Sequence, residues 1–337
     1  IQGLSYASWS ARGEREETMA DLEELLIRTS RTFALSIPLL PEPTRREVTL
    51  AYLLFRIADT FEDATDWPPE ARIAALDRFV ALLDGPAPES AAAAAAEWAA
   101  EVPCANPGYR ELLAETPAVL EAFFALSPEA VAQIREHTVR TARGMGAFVA
   151  RTSDGELSLA DLADLRAYCY VVAGIVGELL TELFLLGRPA LAPLAGPLRE
   201  RAALFGEALQ LVNILKDSAD DADEGRRYLP AGPPETVRGE VLALARCDLA
   251  EAETYVLTLQ EGGAERGLVA FTALPVHLAH ATLDRVAEAG PGSKLSRPEV
   301  FTIVQRLHRT LDRNEPVLWQ PASPASSASS AKLSALR

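Results

Sequence analysis

Apolar positions recur along this chain at helical rather than strand spacing. Within residues 17–28, Leu22, Leu25 and Leu26 share one face. Prolines at 38, 41 and 43 interrupt the pattern, which then predicts a long apolar helix from about Thr44 to Asp63. The turn Asp66-Trp67-Pro68-Pro69 ends it, and Pro68 fits the start of the next helix. Ser127-Pro128-Glu129 joins an N-cap, a proline and a first-turn acid, predicting a helix to about Arg151. Ser158-Leu159-Ala160-Asp161, a capping box with Asp in the Glu position, predicts the start of the helix carrying Tyr168 to Phe184. That helix is apolar nearly all round and should be central. Further helices are expected at about 195–219, 234–260, 264–289 and 297–314. No strand-period segment exceeds a few residues and no Gly-rich phosphate loop is visible, so the fold class is all-α.

The pattern divides the chain into an N-terminal extension (1–16), one helical domain (17–315) and a Ser/Ala-rich tail (316–337) expected to be disordered. Residues 84–108 hold Asp84-Gly85-Pro86-Ala87-Pro88, an alanine run to Trp98, and Pro103 and Pro107. They read as a low-complexity surface connection that buries little. The 337 residues are 49% hydrophobic and 24% charged, ample for a large core. The formal net charge of −16 disfavours nucleic acid, so an anionic ligand would need local Arg/Lys groups or metal ions. Cys104, Cys169 and Cys247 form no C-x-x-C pair, and their odd number suits small core residues in a reducing cytosol rather than a disulfide framework. No signal-peptide pattern is seen. The most apolar window, Tyr168 to Gly187, holds Glu178 and Glu182, which are costly at a bilayer centre.

Two acidic stretches stand out. In Ile57-Ala58-Asp59-Thr60-Phe61-Glu62-Asp63, helical spacing brings Asp59, Glu62 and Asp63 to one face. In Asn213-Ile214-Leu215-Lys216-Asp217-Ser218-Ala219-Asp220-Asp221, Asp217 and Asp221 repeat the i, i+4 spacing. Like charges so spaced destabilise an isolated helix by roughly 0.2–0.5 kcal/mol per pair. Both clusters follow apolar sequence, where uncompensated charge is dearer, and a divalent cation relieves both costs. A solvated acidic face is the plain alternative for either cluster alone. Nearby cations complete a set suited to diphosphate: Arg31, Arg56 three residues before Asp59, and Arg226-Arg227 beside a turn. Mg²⁺ takes carboxylates plus substrate phosphates, and arginine adds bidentate phosphate contacts.

Three ordered blocks resemble the signatures of the squalene/phytoene synthase family, most like its bacterial squalene-forming members. They are Asp59-Thr60-Phe61-Glu62-Asp63, Tyr168-Cys169-Tyr170-Val171-Val172-Ala173-Gly174-Ile175-Val176-Gly177, and Asn213-x-x-Lys216-Asp217-x-x-Asp220-Asp221 continued by Gly225-Arg226-x-Tyr228-x-Pro230. Ser30-Arg31-Thr32-Phe33 and Tyr52 to Asp59 look similar to its first region, and the match spans roughly residues 20–310. The resemblance implies a single isoprenoid synthase-type helical bundle around a central cavity, with an acidic motif on each wall. It implies Mg²⁺ (or Mn²⁺) bridging those motifs to two molecules of farnesyl diphosphate. They would join 1′–1 through presqualene diphosphate, and NADPH would reduce the product to squalene, a sterol, hopanoid or carotenoid precursor.

Carried over by position, Asp59, Glu62, Asp63, Asn213, Asp217 and Asp221 would hold metal, with Asp220 adjacent. Ser30, Arg31, Tyr52, Arg56, Gln210, Lys216 and Arg226 would contact substrate. Tyr168 would stand beside the first coupling step and Phe271 near the second half-reaction, while Lys294 and Arg297 would meet the NADPH phosphate. Gly174 and Gly177 would allow close helix approach or leave room for a prenyl chain. His277 and His280, lacking a third ligand, read as structural. Lys216 stands where animal enzymes carry arginine, keeping the charge without the bidentate fork. The tail stands in place of the eukaryotic membrane anchor, so the expectation is a cytoplasmic monomer or weak dimer with peripheral contact at the inner face of the membrane. A dehydrosqualene or phytoene synthase, without the NADPH step, is the second reading. A non-catalytic helical metal-binding protein is the third.

Overall fold

The computed structural model describes residues 21–30, 32–152, 157–223 and 226–318. Helices α1 (21–29) and α2 (Phe33–Ser36, followed by a 3-10 turn Ile37–Leu39) lead into α3 (Thr44–Glu62) and α4 (Pro69–Leu82). Next come α5 (Pro88–Glu101), α6 (Pro107–Ala114), α7 (Thr116–Phe124) and α8 (Pro128–Val149). A continuous helical run follows, built from α9 (Leu162–Cys169), a single π turn (Tyr170–Gly174) and α10 (Ile175–Leu185). The long helices α11 (Ala195–Asp223), α12 (Pro234–Glu261), α13 (Arg266–Ala289) and α14 (Arg297–Asp312) complete the domain. The only extended pairing among the described residues is the two-residue parallel contact of Leu157–Ser158 with Arg226–Arg227. The chain is all-α, as its periodicity predicts. The proposed extension and nearly all of the proposed tail lie outside the described residues.

Helix α3 is the spine of the first half. Leu50, Leu53, Leu54, Ile57 and Phe61 are fully buried against α4, α6, α7, α8 and α10, each side chain contributing about 1.5–3 kcal/mol of transfer free energy. Helices α10 to α13 form the second half, with α11 packed on both α10 and α12. Two glycines set the closeness of the α10–α11 contact. A Cβ at Gly177 would lie 1.9 Å from the Ala202 carbonyl oxygen, and one at Gly206 would lie 2.0 Å from that of Ala173. The Gly174/Gly177 stripe therefore serves close helix approach. The run Leu162–Leu185 is long and apolar enough to cross a membrane by composition, but here it is the central helix, wedged between α8 and α11.

Three sequence expectations need correction. Residues 84–108 are not a connection that buries little. Helix α5 turns Ala91, Ala94, Ala95 and Trp98 inward, and the Trp98 ring meets Phe61 edge-on with centroids 4.7 Å apart. Small alanines let the helix approach closely and one indole fills the gap, a pattern that reads as low complexity. The cap of α9 is Asp161, whose side chain accepts from the Asp164 amide, while Ser158 pairs as extended chain. Of the cysteines only Cys169 is core; Cys104 is half-buried and Cys247 exposed. By contrast Ser127 caps α8 as expected, accepting from Ala130. His277 donates from Nε2 to the Val317 carbonyl at 2.8 Å, and His280 pairs with Glu253.

Candidate active site

Between α3 and α11 lies a cavity of about 880 Å³, roofed by α1, α6 and α13. Helix α3 contributes Arg56, Asp59, Glu62 and Asp63 at successive turns, because i, i+3 and i+4 positions align along one face. Helix α11 contributes Gln210, Asn213, Lys216 and Asp217 from the opposite wall by the same spacing. Tyr168 and Val172 enter from the central helix, Ser30 from the end of α1, and Lys294 from the loop before α14. That loop is tied to the second wall by the Gly292 amide, which donates to the Lys216 carbonyl at 2.7 Å.

The first wall concentrates charge where solvation is poor. Asp59 lies on the cavity wall, and desolvation pushes its carboxyl up to about 6 despite the Arg56 guanidinium 3.2 Å away. Glu62 is only 8% exposed, and burial, with Asp63 and Asp59 beside it, holds its carboxyl well above the usual range. Arg56 lies between two aromatic rings, its guanidinium 5.7 Å from the centre of Tyr52 and 5.2 Å from that of Tyr109. Arg72 donates to the Phe61 and Glu62 carbonyls at the end of α3, leaving its field close to the acidic cluster. On the second wall Lys216 Nζ sits 3.0 Å from Asp217 and 3.2 Å from the Asn213 amide oxygen.

Tyr168 joins the two halves. Its hydroxyl lies beside the Glu62 carboxyl, its ring stacks on Tyr228 at 4.9 Å, and Phe148 meets it edge-on at 5.2 Å. Burial and the neighbouring carboxylates raise its phenol far above the ordinary value, so it acts as a neutral hydroxyl. Val172, Leu209, Val212, Ile214, Pro275, Leu278 and Ala279 give the cavity its apolar surface. The site thus combines oxygen donors on two facing walls, confined cations and an apolar chamber with a tyrosine between them. Such an arrangement can neutralise a polyanion at one end while excluding water from a greasy chain at the other.

The sequence-derived site divides unevenly. Ser30, Arg56, Asp59, Glu62, Asp63, Tyr168, Gln210, Asn213, Lys216, Asp217 and Lys294 all line this one cavity. Tyr52 does not line it. Its hydroxyl donates to the Thr29 carbonyl at 2.7 Å and accepts from Arg56, so it fixes α1 over α3 and orients the arginine. Phe271 is core, 1% exposed and edge-on to Phe184, because its turn of α13 faces the bundle. Arg297 is an exposed first residue of α14, away from the cavity lining. Arg31 and the side chains of Asp220, Asp221 and Arg226 lie outside the described residues. Sequence reasoning missed Asn106, which reaches the cavity from the segment read as a surface insert, and Tyr109 just past that segment, and gave Tyr228 no role. The Asn106-Pro107 helix start was the available signal: Asn106 caps α6 by accepting from Gly108.

The chain matches the family model described as squalene/phytoene synthase over residues 26–232. A squalene synthase of Mycosarcoma maydis is 32% identical over 227 residues, 66% of this chain and 37% of that protein. One from Eremothecium gossypii is 29% identical over 278 residues, 77% of this chain and 60% of that protein. The chain thus spans about two fifths to three fifths of the length of these relatives. A solved ligand complex of TcSQS superposes with a TM-score of 0.70 at 25% identity, covering 88% of this chain and 90% of that one.

Proposed function

The chain belongs to the squalene/phytoene synthase family, and from that premise we propose that it joins two molecules of farnesyl diphosphate 1′–1, through presqualene diphosphate, to squalene. The observation that carries the reading is the cavity itself. Carboxylates on α3 and on α11 face one another across it, beside an apolar chamber and a buried tyrosine. Among the described residues no three His, Cys, Asp or Glu side chains stand close enough to hold an ion by themselves. The all-oxygen donors Asp59, Asp63, Asn213 and Asp217, with Glu62 behind, suit Mg²⁺ or Mn²⁺ completed by substrate phosphates. Burial first, and neighbouring carboxylates after it, raise the Asp59 and Glu62 carboxyls, and a cation between the walls would favour their charged forms. When bound, the metal neutralises the departing diphosphate as a Lewis acid.

The chain's own residues supply the rest. Arg56, held between Tyr52 and Tyr109, and Lys216, held by Asn213 and Asp217, offer fixed positive groups to the leaving diphosphate. Tyr168, kept neutral chiefly by burial and with Glu62 beside it, presents a hydroxyl to the reacting end of the prenyl chain. Val172, Leu209 and Leu278 shield the allylic cation from water. The reductive step would consume one NADPH and one proton, delivering hydride to carbon and releasing the second diphosphate. Lys294, at the cavity edge, is the residue here that could meet the cofactor phosphate. An apolar product leaving past the exposed Ile27 at the cavity rim suits a cytoplasmic protein in peripheral contact with a membrane.

One observation favours the second reading, a dehydrosqualene or phytoene synthase. Phe271 and Arg297, two of the groups linked to the reductive half, stand away from the cavity. The test is incubation with farnesyl diphosphate and Mg²⁺, with and without NADPH, followed by product identification. Squalene formed with NADPH, and stalled cyclopropyl diphosphate without it, is the expected result. A C30 or C40 polyene formed regardless of NADPH assigns the second reading. No consumption of farnesyl or geranylgeranyl diphosphate refutes both.

A further inference from the structure

The π turn in the central helix has a built support that the reaction chemistry does not require. At Tyr170–Gly174 the helix widens by one residue, so that the Ile175 amide donates to the Tyr170 carbonyl five residues back. Such turns are rare, and they gather at functional sites because they re-aim the side chains around them. The residues it bears on here are Tyr168, two positions before the turn, and Val172, within it; both line the cavity.

Two neighbours on α8 grip the turn from one side. The Thr141 hydroxyl, fully buried, donates to the Val171 carbonyl at 3.0 Å. Arg140 donates to the Tyr170 hydroxyl at 2.6 Å and to Glu178 at 2.8 Å, and the same hydroxyl donates to Glu178 at 3.2 Å. Gly144, one helical turn on, leaves the room that Val171 occupies: a Cβ there would lie 2.5 Å from its Cγ1. On the far side Gly206 admits the Ala173 carbonyl and Glu207 closes on Gly174. Arg166 then ties Glu207 at 3.2 Å and Asp248 at 3.4 Å, joining α9 to α11 and α12. The turn is therefore held from both faces by side chains that do not touch the cavity.

We propose that Thr141 and the Arg140–Tyr170–Glu178 cluster are positioning residues that lock the π turn in register and so hold the Tyr168 side chain in place on the cavity wall. This rests on the proposed reaction for its kinetic consequences and on the fold alone for its structural ones. The variants are Thr141→Val, which keeps the shape and removes the donor, Thr141→Ser, which restores it, and Tyr170→Phe, which deletes one hydroxyl of a half-buried cluster. With farnesyl diphosphate and Mg²⁺, Thr141→Val and Tyr170→Phe should each lower kcat tenfold or more, with KM within twofold. Thr141→Ser should recover most of the loss. In single turnovers, adding Thr141→Val to Tyr168→Phe should cost less than twofold further, because both act through the same hydroxyl. Hydrogen–deuterium exchange should rise at least tenfold in residues 168–176 and stay unchanged elsewhere in α8 and α11.

A folded Thr141→Val protein with unchanged kcat overturns the proposal, as do full losses that add to Tyr168→Phe or unaltered exchange across the turn. Should Thr141→Val fail to fold, Tyr170→Phe decides the same points. A wild-type chain that turns over no prenyl diphosphate would sink the proposed reaction instead, and the exchange measurement would still decide whether the clamp holds the turn.

Discussion

Replacing Asp59 by Asn should make the metal-free protein more stable while removing its activity. Desolvation on the cavity wall raises the Asp59 carboxyl from an ordinary 3.8 to about 6, even with Arg56 attached. Its protonated form is therefore the one the fold prefers. The contribution to stability is full below the unfolded value near 3.8 and is lost as pH rises through about 6. At about 1.4 kcal/mol per pH unit, ionised Asp59 costs the folded state on the order of 3 kcal/mol at neutral pH, as an upper limit. The amide mimics the protonated acid and escapes that cost. Urea unfolding in EDTA, on wild type and Asp59→Asn at steps from pH 4 to 7.5, isolates the term as a difference. The two curves should meet near pH 4 and separate up to about pH 6.5, with the variant the more stable by 1–3 kcal/mol. Added Mg²⁺ should close the gap by stabilising the wild type alone, and turnover of farnesyl diphosphate should fall at least a hundredfold in the variant. A variant less stable than wild type at pH 7 without metal would refute the reasoning, because Asp59 would then be a net structural partner of Arg56.

Four other outcomes follow from the same contacts. Trp98→Ala should cost about 3–5 kcal/mol in urea unfolding, the usual range for a large aromatic deleted from a core; a cost below 1 kcal/mol would return residues 84–108 to the surface. Gly206→Ala should abolish soluble expression or lower the melting temperature by more than 10 °C, since its Cβ would sit 2.0 Å from a backbone oxygen. Glu207, raised to about 7 chiefly by burial, loses its contribution as pH rises through that value; Glu207→Gln should flatten the decline in thermal stability between pH 5 and 8 relative to wild type. Tyr109→Leu should raise KM for the diphosphate by about tenfold with kcat within threefold, measured by steady-state kinetics, because it removes one of the two rings that orient Arg56.

The sequence carried the helices and the acidic walls for one physical reason: each is a local pattern with a period of 3.6. Asp59 with Asp63, and Asp217 with Asp221, are legible because like charges at i, i+4 beside apolar sequence are locally unfavourable and need an external reason. Whether the two walls face each other is a tertiary fact, and only the order of the family blocks pointed to it. The errors are of a different kind. Trp98 was hidden by alanines, whose small side chains carry little hydrophobic signal yet allow the close approach that buries the indole against Phe61. Phe271 sits in a motif-like stretch, but its depth in the bundle depends on which turn of α13 faces Phe184, and a few residues of pattern do not fix that rotation.

The π turn was illegible for a deeper reason. A one-residue insertion into a helix that is apolar all round leaves no gap in the hydrophobic pattern to betray it. What marks it lies 30 residues away, in the adjacent Arg140 and Thr141 of α8, which read there as an ordinary polar pair on an amphipathic helix. Their partners are the Tyr170 hydroxyl and a backbone carbonyl, neither of which periodicity can assign. The same holds for Tyr168: its phenol reads as a core aromatic until Glu62, from the first acidic motif, is brought to its hydroxyl. Carboxylate position was thus written locally on α3 and α11, whereas the orientation of the tyrosine between them was written in the packing of a third helix. That division predicts where substitutions will separate the two: changes in the acidic motifs should act on metal and diphosphate binding, and changes in α8 on the chemical step alone.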